Sequence, residues 1–305
     1  MQKDYQIKSV LESYMQSHGN KVGHAAKHFK VTTNTIRAYC KKFGIPTDPK
    51  PGRYSSLDRL MRDAKDTKDY TDYFVLRGDT MVASDFHVPF FSLDWTQRLL
   101  DVADKYRIKQ LCVAGDFFDG KTVGKYRDGD RNHTLQYELR VARDMFYDCL
   151  DRFKDIYFIT GNHDVRLPKF MDFEFNLEFF FHIVAQDEKI HVSDYSYCLH
   201  EFPKRETTRI THPLNFSKVK GSVATELADI KMQNILMGHT HHICDTFSKS
   251  GAYRACEIGG LFDSLKTEYY MKVDRRTPQW DNGFAMIRNG NISVLHGGTD
   301  WDIFL

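Results

Sequence analysis

Five short apolar runs, each ending in a knot of Asp, Asn or His, constrain this chain more than anything else in its 305 residues. Thr80-Met81-Val82-Ala83-Ser84 leads into Asp85-Phe86-His87, and Gln110-Leu111-Cys112-Val113-Ala114 into Gly115-Asp116-Phe117-Phe118-Asp119. Ile156-Tyr157-Phe158-Ile159-Thr160 leads into Gly161-Asn162-His163-Asp164. Thr208-Arg209-Ile210-Thr211 ends at His212, and Asn234-Ile235-Leu236-Met237 at Gly238-His239-Thr240-His241. Between the runs lie helical stripes, Leu99, Leu100, Val102, Ala103 and Tyr106 in one and Leu135, Leu139, Ala142, Phe146, Cys149 and Phe153 in another. Strands alternating with such stripes imply a layered α/β domain. Ligands gather beyond the carboxyl ends of strands in α/β sheets, so the five runs are expected to deliver their polar residues to one edge. An extended Asp85-Phe86-His87 would point both polar side chains the same way. Gly115 and Gly161 would let the backbone turn sharply after the strand.

Carboxylates and imidazoles together suit first-row divalent cations. Each motif alone is weak, since an isolated Asp-x-His is usually a surface turn, but five in this order after five strands are specific. The set DxH, GDxxD, GNHD, H and GHTH, over residues 73–305, resembles the calcineurin-like metallophosphoesterase superfamily. The resemblance implies a four-layer α/β/β/α sandwich and two divalent metal ions, Mn²⁺ first and Fe²⁺, Zn²⁺ or Ni²⁺ as alternatives. It implies that Asp85, His87 and His241 hold one ion, that Asn162, His212 and His239 hold the other, and that Asp116 bridges them. His163 would be the catalytic histidine, Asp164 would orient it, and Asp119 would either support the ligands from behind or stand beside the substrate. His200, after Tyr197-Cys198-Leu199, competes with His212, but Thr207 to Thr211 reads as the better strand end. His242 is expected to be a neighbour of the site, and the remaining histidines surface or core residues.

The implied reaction is direct, in-line attack of metal-bound hydroxide on phosphorus, without a covalent enzyme intermediate. The superfamily's Ser/Thr phosphatases carry an Arg after GDxxD and a Glu in GNHE, whereas this chain has Gly120 and Asp164. The GHTH ending is closer to the diesterase and nuclease branches. The large cap of the DNA-end nucleases is not expected, because 64 residues follow His241 and Asp281 to His296 reads as a hairpin about Asn289-Gly290. Lys121, Lys125, Arg127 and Arg131 follow GDFFD; Arg127, with Arg166 after GNHD, is a candidate for gripping substrate phosphate.

The first 54 residues differ in charge, with ten Lys/Arg against three Asp/Glu, in a chain whose overall charge is only +2. That pattern suits nucleic acid, and equally a solvated basic face. Apolar spacing at 7, 10, 11 and 14 predicts a first helix, Asn20 is a candidate cap for a second, and Lys30-Val31-Thr32 a turn before a third ending at Gly44. HAAKHFKVTTNTIRAYCKKFGI resembles the helix-turn-helix of phage and bacterial DNA-binding proteins, which implies that Thr33, Asn34, Thr35, Arg37 and Lys41 face nucleic acid. The organisation expected is a helix-turn-helix domain over 1–45, a linker over 46–72 rich in Pro, with a short helix about Leu57–Ala64, and the phosphoesterase domain over 73–305.

The whole resembles phage-type metallophosphoesterases, with nucleic acid as partner and a homodimer as a means to tight binding. The first expectation is a phosphodiesterase or nuclease. The alternatives are a phosphomonoesterase on a nucleotide or phosphoprotein, and a DNA-binding regulator with a retired phosphoesterase scaffold. No run of about 18 apolar residues suggests a membrane span, and the six scattered cysteines suggest no disulfide framework. A cytoplasmic setting is expected, that of the host if the chain is phage-encoded.

Overall fold

In the computed structural model, which describes residues 3–47, 70–124, 134–172, 174–266 and 280–305, the chain divides into two units, Met1–Tyr70 and Thr71–Leu305. In the first unit α1 (Lys8–Ser17), α2 (Val22–His28) and α3 (Thr33–Phe43) enclose a small core of Leu11, Met15, Val22, Ala25, Ala26, Ile36, Cys40 and Ile45. The buried stripe of α1 is Leu11 and Met15, while Ile7 and Val10 stay exposed. Asn20 does not cap α2. It sits at φ 59° with its N–H on the Met15 carbonyl (2.8 Å), so it closes α1, and Lys21 takes the cap position without a side-chain bond. Asn is one of the few side chains that tolerates this left-handed geometry. Thr32 caps α3 by accepting from the Thr35 N–H (3.2 Å), and Gly44 ends it at φ 68°. The predicted helix about Leu57–Ala64 and most of the proposed linker lie outside the described residues.

Alternation along single strands creates the layers of the second unit. In β2 (Thr80–Ala83), Met81 and Ala83 point to helices, while Val82 points to a second sheet. β3 (Gln110–Ala114) repeats this, with Leu111 and Val113 against helices and Cys112 and Ala114 against the other sheet. A strand buried on both faces must be apolar throughout, which explains why these runs showed no polar alternation. With β1 (Val75–Arg77), β4 (Asp155–Ile159), β5 (Ile190–Val192), β6 (Tyr197–Glu201), β7 (Thr208–Thr211) and β8 (Asn234–Met237), two sheets take shape. β9 (Ile243–Phe247), β10 (Arg254–Ile258), β11 (Gly283–Arg288) and β12 (Asn291–His296) complete them, in the orders β12-β11-β2-β3-β4-β5 and β1-β6-β7-β8-β10-β9.

Helices α4 (Leu93–Tyr106), α5 (Leu135–Arg152) and α7 (Leu177–Val184) cover the first sheet, and α8 (Ser222–Lys231) the second. The result is the α/β/β/α sandwich. The β11–β12 hairpin turns at Asn289 and Gly290, both with positive φ, as a two-residue turn matched to strand twist requires. Short α6 (Arg166–Phe170) and α9 (Trp301–Phe304) complete the described α-helices, beside 3-10 turns at Asp4–Gln6, Lys121–Val123 and Ser264–Lys266. Among the described residues no helix is long and apolar enough to cross a membrane.

The five strands that lead into the candidate ligands are divided between the two sheets: β2, β3 and β4 are parallel neighbours in the first, β7 and β8 in the second. Stacking brings the carboxyl ends of both sets together.

Candidate metal centre

The loops after these strands converge on one polar pocket. Asp85, His87 and His241 form one group whose ligand atoms lie within 4.8 Å of one another, and Asp116, His212 and His239 form another. His241 Nε2 is 3.0 Å from Asp85 Oδ1 and 3.3 Å from His87 Nε2. His212 Nε2 is 3.2 Å from Asp116 Oδ2 and 3.3 Å from Asn162 Oδ1. Asp85, His87, Asp116 and His212 are buried, while Asn162, His163, Arg166, His239 and His241 are half-buried and form the open side. His200 lies elsewhere, with Nε2 2.7 Å from the Gly78 carbonyl, so strand position selects His212.

Backbone conformation aims these side chains. Asp85, His87, Asp116, His239 and His241 all have positive φ, between 46° and 77°. The expected extended Asp85-Phe86-His87 is therefore not found: both side chains reach the pocket through left-handed turns. Such residues each cost about 1–3 kcal/mol and persist where surrounding structure fixes them. That structure is visible. Ser84 Oγ donates to Asp85 Oδ2 (2.6 Å), the His239 N–H donates to the same oxygen (2.9 Å), and the Leu261 N–H to the Asp85 carbonyl (3.0 Å). Gly161 is needed for space, since a Cβ there would lie 2.2 Å from the Asp116 backbone nitrogen. Gly115 is needed for both space and φ, at 81° with His212 Nδ1 2.5 Å from a Cβ.

Asp164 does not orient His163. Its Oδ2 accepts from the N–H groups of Asp116 (2.8 Å) and Gly161 (2.9 Å), and its Oδ1 from Phe118 (3.1 Å), so it ties the GDFFD and GNHD loops together. The partner of His163 is Asp119: Nδ1 lies 2.9 Å from its carbonyl oxygen and 3.5 Å from Oδ1. Arg166 Nη1 donates to that same carbonyl (2.7 Å), and its Nη2 lies 2.8 Å from His163 Nε2. This network assigns the proton of a neutral His163 to Nδ1 and leaves Nε2 as acceptor. Arg166 packs over Gly120, where a Cβ would meet its side chain at 3.2 Å. Lys121 is buried, and Lys125, Arg127 and Arg131 lie outside the described residues.

The electrostatics are those of a cation site. Burial works against charge on Asp85, yet His241 and His87 hold its carboxyl well below the usual range. Asp116 is likewise held low against burial, by His212 and His163, and Asp119 by His163 and His87. Burial disfavours charge on His87, but Asp119 and Asp85 raise it to about 10; Asp116 raises His212 to about 9 in the same way. Burial and the neighbouring His212 push His239 down to about 4. The raised His87 and His212 would carry protons that offset the ionised carboxylates, and a divalent cation would displace them. The donor set fits such a cation: two imidazole nitrogens 3.3 Å apart must share a proton or a metal, and His241 Nδ1 and Asp119 Oδ2 are buried without hydrogen-bond partners among the described residues.

Nothing in the sequence flagged several supporting residues. Glu138, in α5, accepts from the Gly120 N–H (2.8 Å); burial and Asp119 raise its carboxyl to about 8. Asn282 donates to the carbonyls of Gly260 and Phe262 (2.9 and 2.8 Å), holding the Gly259–Phe262 turn against Asp85. Phe262 and Trp280 pack edge-on against His241. Their signal in sequence is only a Gly-Gly pair and scattered aromatics. His242 is a neighbour as expected, with Nδ1 3.5 Å from Glu257 Oε2.

The calcineurin-like phosphoesterase family model matches residues 79–274. The solved structure of YfcE, a phosphoesterase from E. coli, is similar at 15% identity, covering 72% of this chain and 92% of that one with a TM-score of 0.38. Vps29 from Chaetomium thermophilum is similar at 12% identity, covering 72% and 94% with a TM-score of 0.40. Vacuolar Protein Sorting 29 from Cryptosporidium parvum is similar at 14% identity, covering 72% and 95% with a TM-score of 0.34. No curated protein sequence matches this chain.

Proposed function

As the chain belongs to the calcineurin-like phosphoesterase family, hydrolases of phosphate esters, we propose that it is a phosphodiesterase or nuclease acting on nucleic acid. The observation that carries this is the convergence of two groups of candidate ligands on one pocket, with His163 and Arg166 at its open side and the buried Asp119 behind them. Asp85, His87 and His241 would hold one divalent cation, Asn162, His212 and His239 a second, and Asp116 would contribute to both. Mn²⁺ is the first candidate. Such a pair supplies Lewis acidity and an activated water.

The chain's own residues do the rest. Asp119 holds the ring of His163 through Nδ1, and Arg166 lies on Nε2; once substrate draws the guanidinium away and Nε2 takes up a proton, that nitrogen can pass it to the leaving oxygen. Arg166 places a guanidinium beside that nitrogen, where it can bind phosphoryl oxygens and offset their charge. Delivery to a polymer falls to the basic helical unit, through α3. Thr33, Asn34 and Lys41 are exposed there and Arg37 is half-buried, while Thr35 is partly engaged by the Thr32 cap. A pair of such units in a homodimer would lengthen the contact.

The test is Mn²⁺-dependent cleavage of labelled single-stranded DNA, duplex DNA and RNA, with His163→Ala as control. Cleavage should fall by about 10²- to 10⁴-fold in that variant while metal content is retained. Hydrolysis of phosphomonoesters alone would move the chain to the monoesterase class.

A further inference from the structure

We infer that Phe216 is a stacking subsite for a nucleobase one sugar away from the phosphate held at the metal centre; this rests on the nucleic-acid phosphodiesterase reading above. The segment following His212 reads Pro213-Leu214-Asn215-Phe216-Ser217-Lys218-Val219-Lys220, and it leads into α8. Leu214, Phe216 and Val219 are 77%, 56% and 67% exposed. Three large apolar side chains in six residues are left in water, although α8 and its sheet have an apolar core close by. Phe216 belongs to none of the buried clusters of this unit.

Its position makes the exposure informative. The Phe216 ring meets the His239 ring edge-on, with centroids 6.4 Å apart and planes at 90°, and lies 6.3 Å from the His242 ring. It therefore stands at the rim of the candidate metal centre, beside its more open half. The segment is anchored at both ends. The His212 N–H donates to the Ser196 carbonyl (2.8 Å), Lys220 Nζ pairs with Asp281 (2.5 Å), and the Gly221 N–H donates to Glu257 Oε2 (2.9 Å). Within it the Val219 N–H donates to Ser217 Oγ (3.1 Å). An aromatic face is thus presented by a braced segment, with the exposed Lys218 two residues on.

The chemistry of the site selects the occupant. A phosphate held at the candidate metal centre would direct whatever it esterifies toward this rim. A largely exposed aromatic ring with a lysine near it suits a base attached to a phosphate backbone, and stacking tolerates any base. A purely aliphatic group would be served by Leu214 or Val219 as well as by an aromatic ring, so the variants below separate the two.

The experiment measures binding by calorimetry to the full-length, Mn²⁺-loaded protein. The probes are thymidine 5′-monophosphate, deoxyribose 5-phosphate and inorganic phosphate. The wild type should bind the nucleotide at least about 5-fold tighter than the sugar phosphate, within the range of about 5- to 150-fold that one base–aromatic stack gives. Phe216→Ala and Phe216→Leu should bring the ratio close to one, and Phe216→Trp should retain it. The ring is exposed, so circular dichroism should show all three variants folded. Equal binding of nucleotide and sugar phosphate by the wild type, or a full ratio in Phe216→Leu, would overturn the subsite. Absence of binding by all three probes would overturn the nucleic-acid phosphodiesterase reading and the subsite with it. Phosphate binding without base preference would remove the subsite alone.

Discussion

In the helical unit the residues proposed to meet nucleic acid are mainly exposed, and the apolar ones at helical spacing, Leu11, Met15, Ile36 and Cys40, are buried. In the sandwich the proposed functional residues Asp85, His87, Asp116 and His212 are themselves buried, and are aimed by loops in left-handed conformations. The first arrangement separates folding from function, because a helix has an inside and an outside face. The second fuses them, because each charged ligand in the interior depends on the others and on backbone N–H groups for its stability. Substitutions should therefore behave differently in the two units.

The largest effect is expected from Asp116→Asn, which removes a carboxylate that groups with His212 and His239 and, separately, with His87 and His163, and that is proposed to serve both ions. Turnover on a phosphodiester should fall by about 10³-fold or more. Metal analysis should show both ions weakened; a fully loaded variant would contradict the bridging role.

Two glycines sharpen the contrast in stability. Gly161→Ala in the sandwich forces a Cβ to within 2.2 Å of the Asp116 nitrogen, and should cost about 3 kcal/mol or more. Gly44→Ala at the end of α3 meets nothing within 4 Å and suffers only its φ of 68°, about 1–2 kcal/mol. Denaturant unfolding of each variant measures the difference, and equal costs would break the comparison.

Glu138 supplies a pH-dependent test. Burial and Asp119 raise its carboxyl to about 8, above its ordinary 4.5, so the folded state retains a proton that the unfolded state has lost. Its contribution to stability is therefore most favourable below about pH 4.5, and declines as pH rises toward 8. Glu138→Gln mimics the protonated form and can still accept from the Gly120 N–H. Relative to the wild type it should raise the Tm at pH 8 and leave it nearly unchanged at pH 4. An identical shift at both would show that the side chain does not titrate this way.

The smallest effect on folding belongs to Lys41→Ala on the exposed face of α3, within about 0.5 kcal/mol. If that lysine meets a phosphate, the slope of log affinity against log salt should fall by about one for duplex DNA. An unchanged slope would remove Lys41 from the proposed contact.

Sequence alone determined the inventory of candidate ligands and its order, and with them the family. Asp85, His87, Asp116, Asn162, His212, His239 and His241 were legible because each follows an apolar run, and strand ends are local features. The helix faces of the sandwich were legible for the same reason, since the 3.6-residue period needs only the neighbouring turn, but in α1 the spacing at 7, 10, 11 and 14 missed Met15 and included Ile7 and Val10, which are exposed. Tertiary structure decided what depends on contacts between distant segments. It split the five strands between two sheets, and it gave His163 Asp119 rather than Asp164 as its ring partner. It turned Asp85 and His87 inward through positive φ, closed the Gly259–Phe262 turn over Asp85, and set Phe216 beside His239. A side chain's type can be read from sequence, but its direction is fixed by backbone torsions and by hydrogen bonds to loops dozens of residues away.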